Sequence, residues 1–244
     1  MRPTVISLSD QSHEEAKKIA MKLDLPFESQ EPSIIPADKN LYYFVVEKEN
    51  KYLKVGKNNK SKPIFCNFTE WASNKKKSNL VRCMKGLPLD CTVVDATAGF
   101  GRDSLELATV SASVLMVERL PWMHYLLQQG IRETKKEPGL SLTKKLRLQL
   151  ADSHNYLSSA EQFTDVVYLD PMFPNAGSAR AKKNIQALRD LTEEDQSDDL
   201  LPLAISFAKK RVIVKRHKNS EYLNQHKPTF SISGRVIRFD VYEI

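Results

Sequence analysis

The segment Val166-Val167-Tyr168-Leu169-Asp170-Pro171-Met172-Phe173-Pro174 sets one acidic side chain between an apolar, β-prone run and two prolines, with an aromatic ring between the prolines. The apolar run has the composition of a buried strand, and proline restricts the backbone that follows it. The Asp170 carboxylate and the Pro171 carbonyl are therefore two acceptors held by stiff backbone, and Phe173 offers a flat face. An enzyme acting on the exocyclic amine of a base needs such a set: acceptors for both N–H bonds, and a ring on which the base can stack. An isolated Asp-Pro pair does no more than end a strand. The chemical reading draws its weight from the position of this segment among the other motifs.

A second segment, Val93-Val94-Asp95-Ala96-Thr97-Ala98-Gly99-Phe100-Gly101-Arg102-Asp103, reads as a strand that ends in an acid and turns through small residues into a helix. Gly99 and Gly101 can adopt positive φ and let a ligand approach the backbone beside the amino end of that helix. The spacing is a loose match to G-x-G-x-x-G, with Ser104 in place of the third glycine. The next apolar run ends in Glu118-Arg119, and a carboxylate at the end of a second strand can accept hydrogen bonds from both ribose hydroxyls of a nucleoside. That cradle serves NAD and S-adenosylmethionine equally. After a third run come Asp152 and Ser153, where a short acceptor can meet an adenine amine or cap the helix that begins near His154.

These residues need elements to position them. Strands are predicted at Cys91 to Asp95, Val114 to Glu118, Leu146 to Leu150, Asp165 to Asp170 and Arg211 to Lys215, with helices at Arg102 to Ala108, Pro121 to Glu133 and Asp198 to Lys209. The alternation implies an α/β fold, a parallel sheet with helices on both faces and ligands beyond the carboxyl ends of its strands. Thr229 to Ser233 and Arg235 to Tyr242 read as a C-terminal antiparallel hairpin. Ahead of this lies a small α+β appendage. Its helix is signalled by the capping-box spacing of Ser12 to Glu15, followed by Ala16, Ile19, Ala20 and Leu23, and its strand-like runs are Leu41 to Val46, Lys51 to Val55 and Pro63 to Phe68. The expected organisation is an appendage over 1–72, a basic connector over 73–88 and a main domain over 89–244.

The chain has 244 residues, 41% hydrophobic and 27% charged, enough to bury a core and to exclude disorder throughout. Its three cysteines are too few and too scattered for a disulfide framework or a C-x-x-C site, and each is expected as a small buried residue; no metal is expected. Apolar runs fall short of the roughly 18 residues of a spanning helix, so a soluble, cytoplasmic protein is expected. The formal charge of +7 suits a polyanionic partner. Lys75, Lys76, Lys77 and Arg82 in the connector, with Lys215 and Arg216 after the fifth strand, are the candidate phosphate contacts, a solvated surface being the alternative use of such charges.

Together the motifs resemble the class I S-adenosylmethionine-dependent methyltransferases, and closely the small-subunit ribosomal RNA methyltransferase J family, which methylates the N2 amine of a guanine in 16S rRNA. The resemblance runs from about Ile64 to the C-terminus. It is carried by Asp95 to Asp103, Glu118-Arg119, Val167 to Pro174, Val214-Lys215-Arg216 and Arg238 to Tyr242. It implies a Rossmann-like fold, S-adenosyl-L-methionine as cofactor and 16S rRNA or the small ribosomal subunit as partner. It also implies a cofactor pocket lined by Asp95, Gly99, Gly101, Arg102, Asp103, Glu118, Arg119, Asp152, Ser153 and Asp170. Family members carry a basic, glycine-rich stretch ahead of the first strand; here 73–80 reads SNKKKSNL, basic but without glycine. Two other readings are an NAD-dependent oxidoreductase, which leaves Asp170 to Pro174 without a purpose, and a non-catalytic RNA-binding module.

Overall fold

The computed structural model describes residues 2–29, 42–48, 50–56, 63–73, 78–135, 141–159, 163–171 and 200–244. These form two compact units, one ending at Cys66 and the other beginning at Asn67. The first holds β1 (Thr4–Ser7), α1 (Asp10–Leu23), β2 (Phe27–Glu28), β3 (Tyr42–Val46) and β4 (Lys51–Val55), with a sheet in the order β2-β1-β3-β4. β1 runs parallel to β2 and β3, and β4 returns antiparallel to β3. Ala16, Ile19, Ala20 and Leu23 are buried, as their helical spacing predicts. The helix starts earlier than the capping-box spacing suggests: Ser12 lies inside the first turn, where its hydroxyl donates to the Ser9 carbonyl at 3.1 Å.

Pro63 to Phe68 does not form the expected strand. Only Ile64 pairs, with Leu53, and Phe68 opens α2 (Phe68–Ser73). The reason is local: the Asn67 side chain accepts from the Glu70 N–H at 3.1 Å and donates back to the Glu70 carboxylate at 3.0 Å, so Asn67 caps a helix where the β-prone residues suggest an extended chain.

The second unit continues with α3 (Asn79–Cys83), β5 (Thr92–Asp95), α4 (Arg102–Ala108), β6 (Ser113–Glu118), α5 (Pro121–Lys135), β7 (Leu146–Leu150), α6 (Ser153–Ser158), β8 (Thr164–Leu169), α7 (Leu200–Phe207), β9 (Ala208–His217), β10 (Phe230–Ser233) and β11 (Ile237–Glu243). Among the described residues its sheet has seven strands in the order β10-β11-β9-β8-β5-β6-β7. The five strands β5 to β9 are parallel to their neighbours within that set, and β11 is antiparallel to both β9 and β10. The predicted parallel sheet and terminal hairpin are both present. The helix expected to reach Lys209 stops at Phe207, because Ala208 already pairs with Thr164. Val94, Ala96, Val167, Leu169, Val212 and Val214 pack with Leu200, Leu201, Ala204 and Phe207 of α7 in the core on one side of the sheet. Among the described residues no helix is long and apolar enough to cross a membrane.

Candidate active site

From the adjacent pair β5 and β8 the chain extends one way through β6 and β7 and the other way through β9, so a crevice opens beyond their carboxyl ends. The turn after β5 is built around two left-handed glycines, Gly99 at φ 53° and Gly101 at φ 77°. A Cβ on Gly101 would stand 2.8 Å from Leu127 Cδ2 and 2.9 Å from Phe68 Cζ, so conformation and packing both require glycine there. Asp95, 1% exposed, braces the turn: it accepts from the Thr97 N–H at 3.1 Å and from the Ser104 hydroxyl. Burial pushes its pKa up to about 7.

Glu118 lies across that turn. Its Oε2 accepts from the Gly99 N–H at 3.2 Å and its Oε1 from the Leu120 N–H at 2.9 Å, so the carboxylate is tied to the glycine turn. Burial raises this carboxyl to about 7 as well, against the opposing effect of the backbone N–H groups.

Four further side chains converge near the ends of β8 and β9. Lys215 Nζ lies 2.6 Å from Asp103 Oδ2 and 2.8 Å from Asp170 Oδ2, and the Tyr168 hydroxyl donates to the same Asp103 oxygen at 2.6 Å. Burial disfavours the charged form of Asp103, yet the Lys215 ammonium and the hydrogen bonds from Lys215 and Tyr168 outweigh it and hold the carboxyl below the usual carboxylate range. Burial also opposes the charge on Lys215, and the Asp170 and Asp103 carboxylates reverse that effect and raise its pKa. The Asp170 N–H donates to Thr97 Oγ1 at 2.6 Å, which ties the end of β8 to the glycine turn.

The other predicted residues fall as follows. Asp152 caps α6, accepting from the His154 and Asn155 N–H groups at 3.0 and 3.2 Å, and the Ser153 hydroxyl donates to the Ala96 carbonyl, so both build the walls of the crevice. Arg102, Arg119 and Arg82 lie at least partly open to solvent, Arg82 with a bond to Asn79 Oδ1 at 3.0 Å, and Pro171 is buried. Lys215 and Arg216, expected as phosphate contacts, both have partners within the chain: Arg216 is buried and donates twice to the Glu221 carbonyl, at 3.1 and 2.7 Å. Phe173, Lys75, Lys76 and Lys77 lie outside the described residues. Sequence reasoning passed over Thr97 and Tyr168; the signal for Tyr168 is a hydroxyl in an otherwise apolar strand, which must find a partner once buried. All three cysteines are buried, and burial pushes the Cys83 thiol up to about 12, far from a reactive thiolate. A groove of about 370 Å³ lies elsewhere, near Thr92, Ser113 and Thr164 at the opposite ends of their strands.

The strand order, the glycine turn facing a carboxylate on the second strand, and the acid-proline end of the fourth define the class I methyltransferase arrangement. A family model of SAM-dependent methyltransferases matches residues 29–244. The ribosomal RNA small subunit methyltransferase J of Hahella chejuensis is 32% identical over 98% of this chain and 95% of its own length. That of Aeromonas salmonicida is 41% identical over a stretch covering 62% of each chain, so this match spans a little under two thirds of that relative. The solved structure of a SAM-dependent methyltransferase from Neisseria gonorrhoeae is similar over 98% of this chain and 95% of its own, with a TM-score of 0.74 and 27% identity. The chain belongs to the ribosomal RNA small subunit methyltransferase J family of SAM-dependent methyltransferases.

Proposed function

We propose that the protein transfers the methyl group of S-adenosylmethionine to the exocyclic N2 amine of a guanine in 16S rRNA of the small ribosomal subunit, in the cytoplasm. The observation that carries this reading is Asp170, fixed at the mouth of the crevice by its N–H bond to Thr97 and flanked by the Gly99–Glu118 cradle. The cradle fits the nucleoside part of the cofactor. A carboxylate offers about four acceptor positions, and beyond the N–H groups of Gly99 and Leu120 the Glu118 oxygens retain capacity for ribose hydroxyls.

When bound, S-adenosylmethionine supplies a methyl carbon already activated by a sulfonium. The protein's task is then alignment and exclusion of water. The lone pair of guanine N2 is delocalised into the ring, and N–H bonds to Asp170 and the Pro171 carbonyl help to localise it on nitrogen. Asp170 orients the amine rather than acting as a strong base, since an ordinary aspartate with a pKa near ~3.9 is a weak proton acceptor. Phe173 is the stacking surface for the base, which must leave its helix to reach the crevice. Arg82 and the lysines at 75–77 hold flanking phosphates.

Methyl transfer from labelled cofactor to 16S rRNA of a strain lacking this protein, given as naked RNA and as assembled subunits, tests the proposal. The expected product in a nuclease digest is N2-methylguanosine at a single position. Label on another base, or no label on either substrate, overturns it.

A further inference from the structure

Lys215 stands on β9 beside β8, between carboxylates contributed by two other elements. Its ammonium is 2.6 Å from Asp103 at the start of α4 and 2.8 Å from Asp170 at the end of β8, and its side chain is 20% exposed. Among the described residues, the other titratable groups that act on this cluster are Tyr168 on β8, Asp95 on β5 and Arg102 on α4. β11 sets the uncharged Phe239 opposite Lys215. Asp95, Asp103 and Asp170 thus crowd one end of the sheet, and Lys215 is the cation bonded to two of them. Neighbouring carboxylates do not all ionise unless a cation compensates them.

We infer that Lys215 is a positioning residue: its ammonium keeps the Asp170 carboxylate ionised and fixed as an acceptor for the substrate amine, and locks it to Asp103 on the cofactor side, instead of contacting an RNA phosphate. The inference rests on the methyl transfer proposed above, and the two can fail separately. A side chain engaged by two carboxylates has little left to offer a phosphate, and a phosphate contact at this point would release two negative charges from their counterion.

The test is the titration of the Asp170 carboxyl, followed by carbon-13 NMR in the ligand-free protein, for wild type, Lys215→Met and Lys215→Arg. In Lys215→Met the midpoint moves up by about one pH unit or more, the size of effect that loss of an adjacent opposite charge produces; Lys215→Arg stays near wild type. An unmoved midpoint in folded Lys215→Met overturns the inference, whether or not the protein methylates RNA. Should Lys215→Met fail to fold, Lys215→Met/Asp103→Asn removes the cation together with one of its two carboxylates, and the same comparison is made against Asp103→Asn alone. In the methyl-transfer assay the acid limb of kcat, at saturating cofactor, rises by a matching amount in Lys215→Met, with the rate recovering at higher pH. A rate lowered equally at every pH indicates a merely structural lysine, and a flatter salt dependence with an unmoved limb indicates a phosphate contact; either result overturns the inference.

Discussion

In the cofactor contact proposed above, Glu118 accepts ribose hydroxyls best as the carboxylate, while burial favours its protonated form and raises its pKa to about 7. Hydroxyl donors stabilise the ionised carboxylate, so cofactor binding lowers that pKa, and the affinity gained this way is present above pH 7 and lost as pH falls through it. Calorimetry with S-adenosylmethionine at pH 6 and 8 is expected to show weaker binding at pH 6. Glu118→Gln is expected to bind more weakly at pH 8 with little further change on acidification, and Glu118→Ala to lose about 1.5–3 kcal/mol. A pH dependence that survives in Glu118→Gln would assign the effect to Asp95, whose carboxyl is also raised to about 7. At the chemical end, folded Asp170→Ala should fall well below wild type in single-turnover methyl transfer to 16S rRNA, and wild-type rates would remove Asp170 from the mechanism. Asp95, Glu118 and Asp170 can be singled out in the sequence because each ends an apolar run. The use of Lys215 cannot be singled out in that way, because its partner Asp103 lies 112 residues away and only the folded chain brings them together.

Among the elements, the glycine turn into α4 carries the sharpest steric demand. Gly101→Ala adds a Cβ at a φ of 77°, against Leu127 and Phe68, with backbone strain and overpacking each worth about 1–3 kcal/mol. Urea unfolding should register a loss of at least that order, and cofactor affinity should fall with it, because the same turn presents the Gly99 N–H to Glu118. Unchanged stability would mean that Leu127 and Phe68 yield freely. The five parallel strands were readable within a few residues because they are short apolar runs buried in the sheet and bounded by turns or helix signals. Pro63 to Phe68 misled for the opposite reason: its residue types favour extension, while one cap between Asn67 and Glu70 settles the conformation.

For the whole molecule, 37 Lys and Arg against 30 Asp and Glu give a formal net charge of +7, which suits the RNA substrate proposed above. Raising the salt concentration should depress methyl transfer steeply. Replacing Lys75, Lys76 and Lys77 together with Gln should reduce the log–log salt slope by up to ~2, about 0.7 for each phosphate of a single-stranded RNA that is no longer neutralised, with cofactor affinity unchanged. An unaltered slope would return those lysines to the solvated surface. Strand order has a different consequence, for the route by which the sheet is completed. β11 follows β10 in sequence yet lies between β10 and β9, so among the described residues β10 is joined to the sheet through β11 alone. β10 therefore joins the sheet once β11 has docked on β9, or arrives with it as a preformed hairpin. Amides of β10 that bond to β11 can be no more slowly exchanged than the docking of β11 permits, and a slip in β11 would release two strands from the sheet at once.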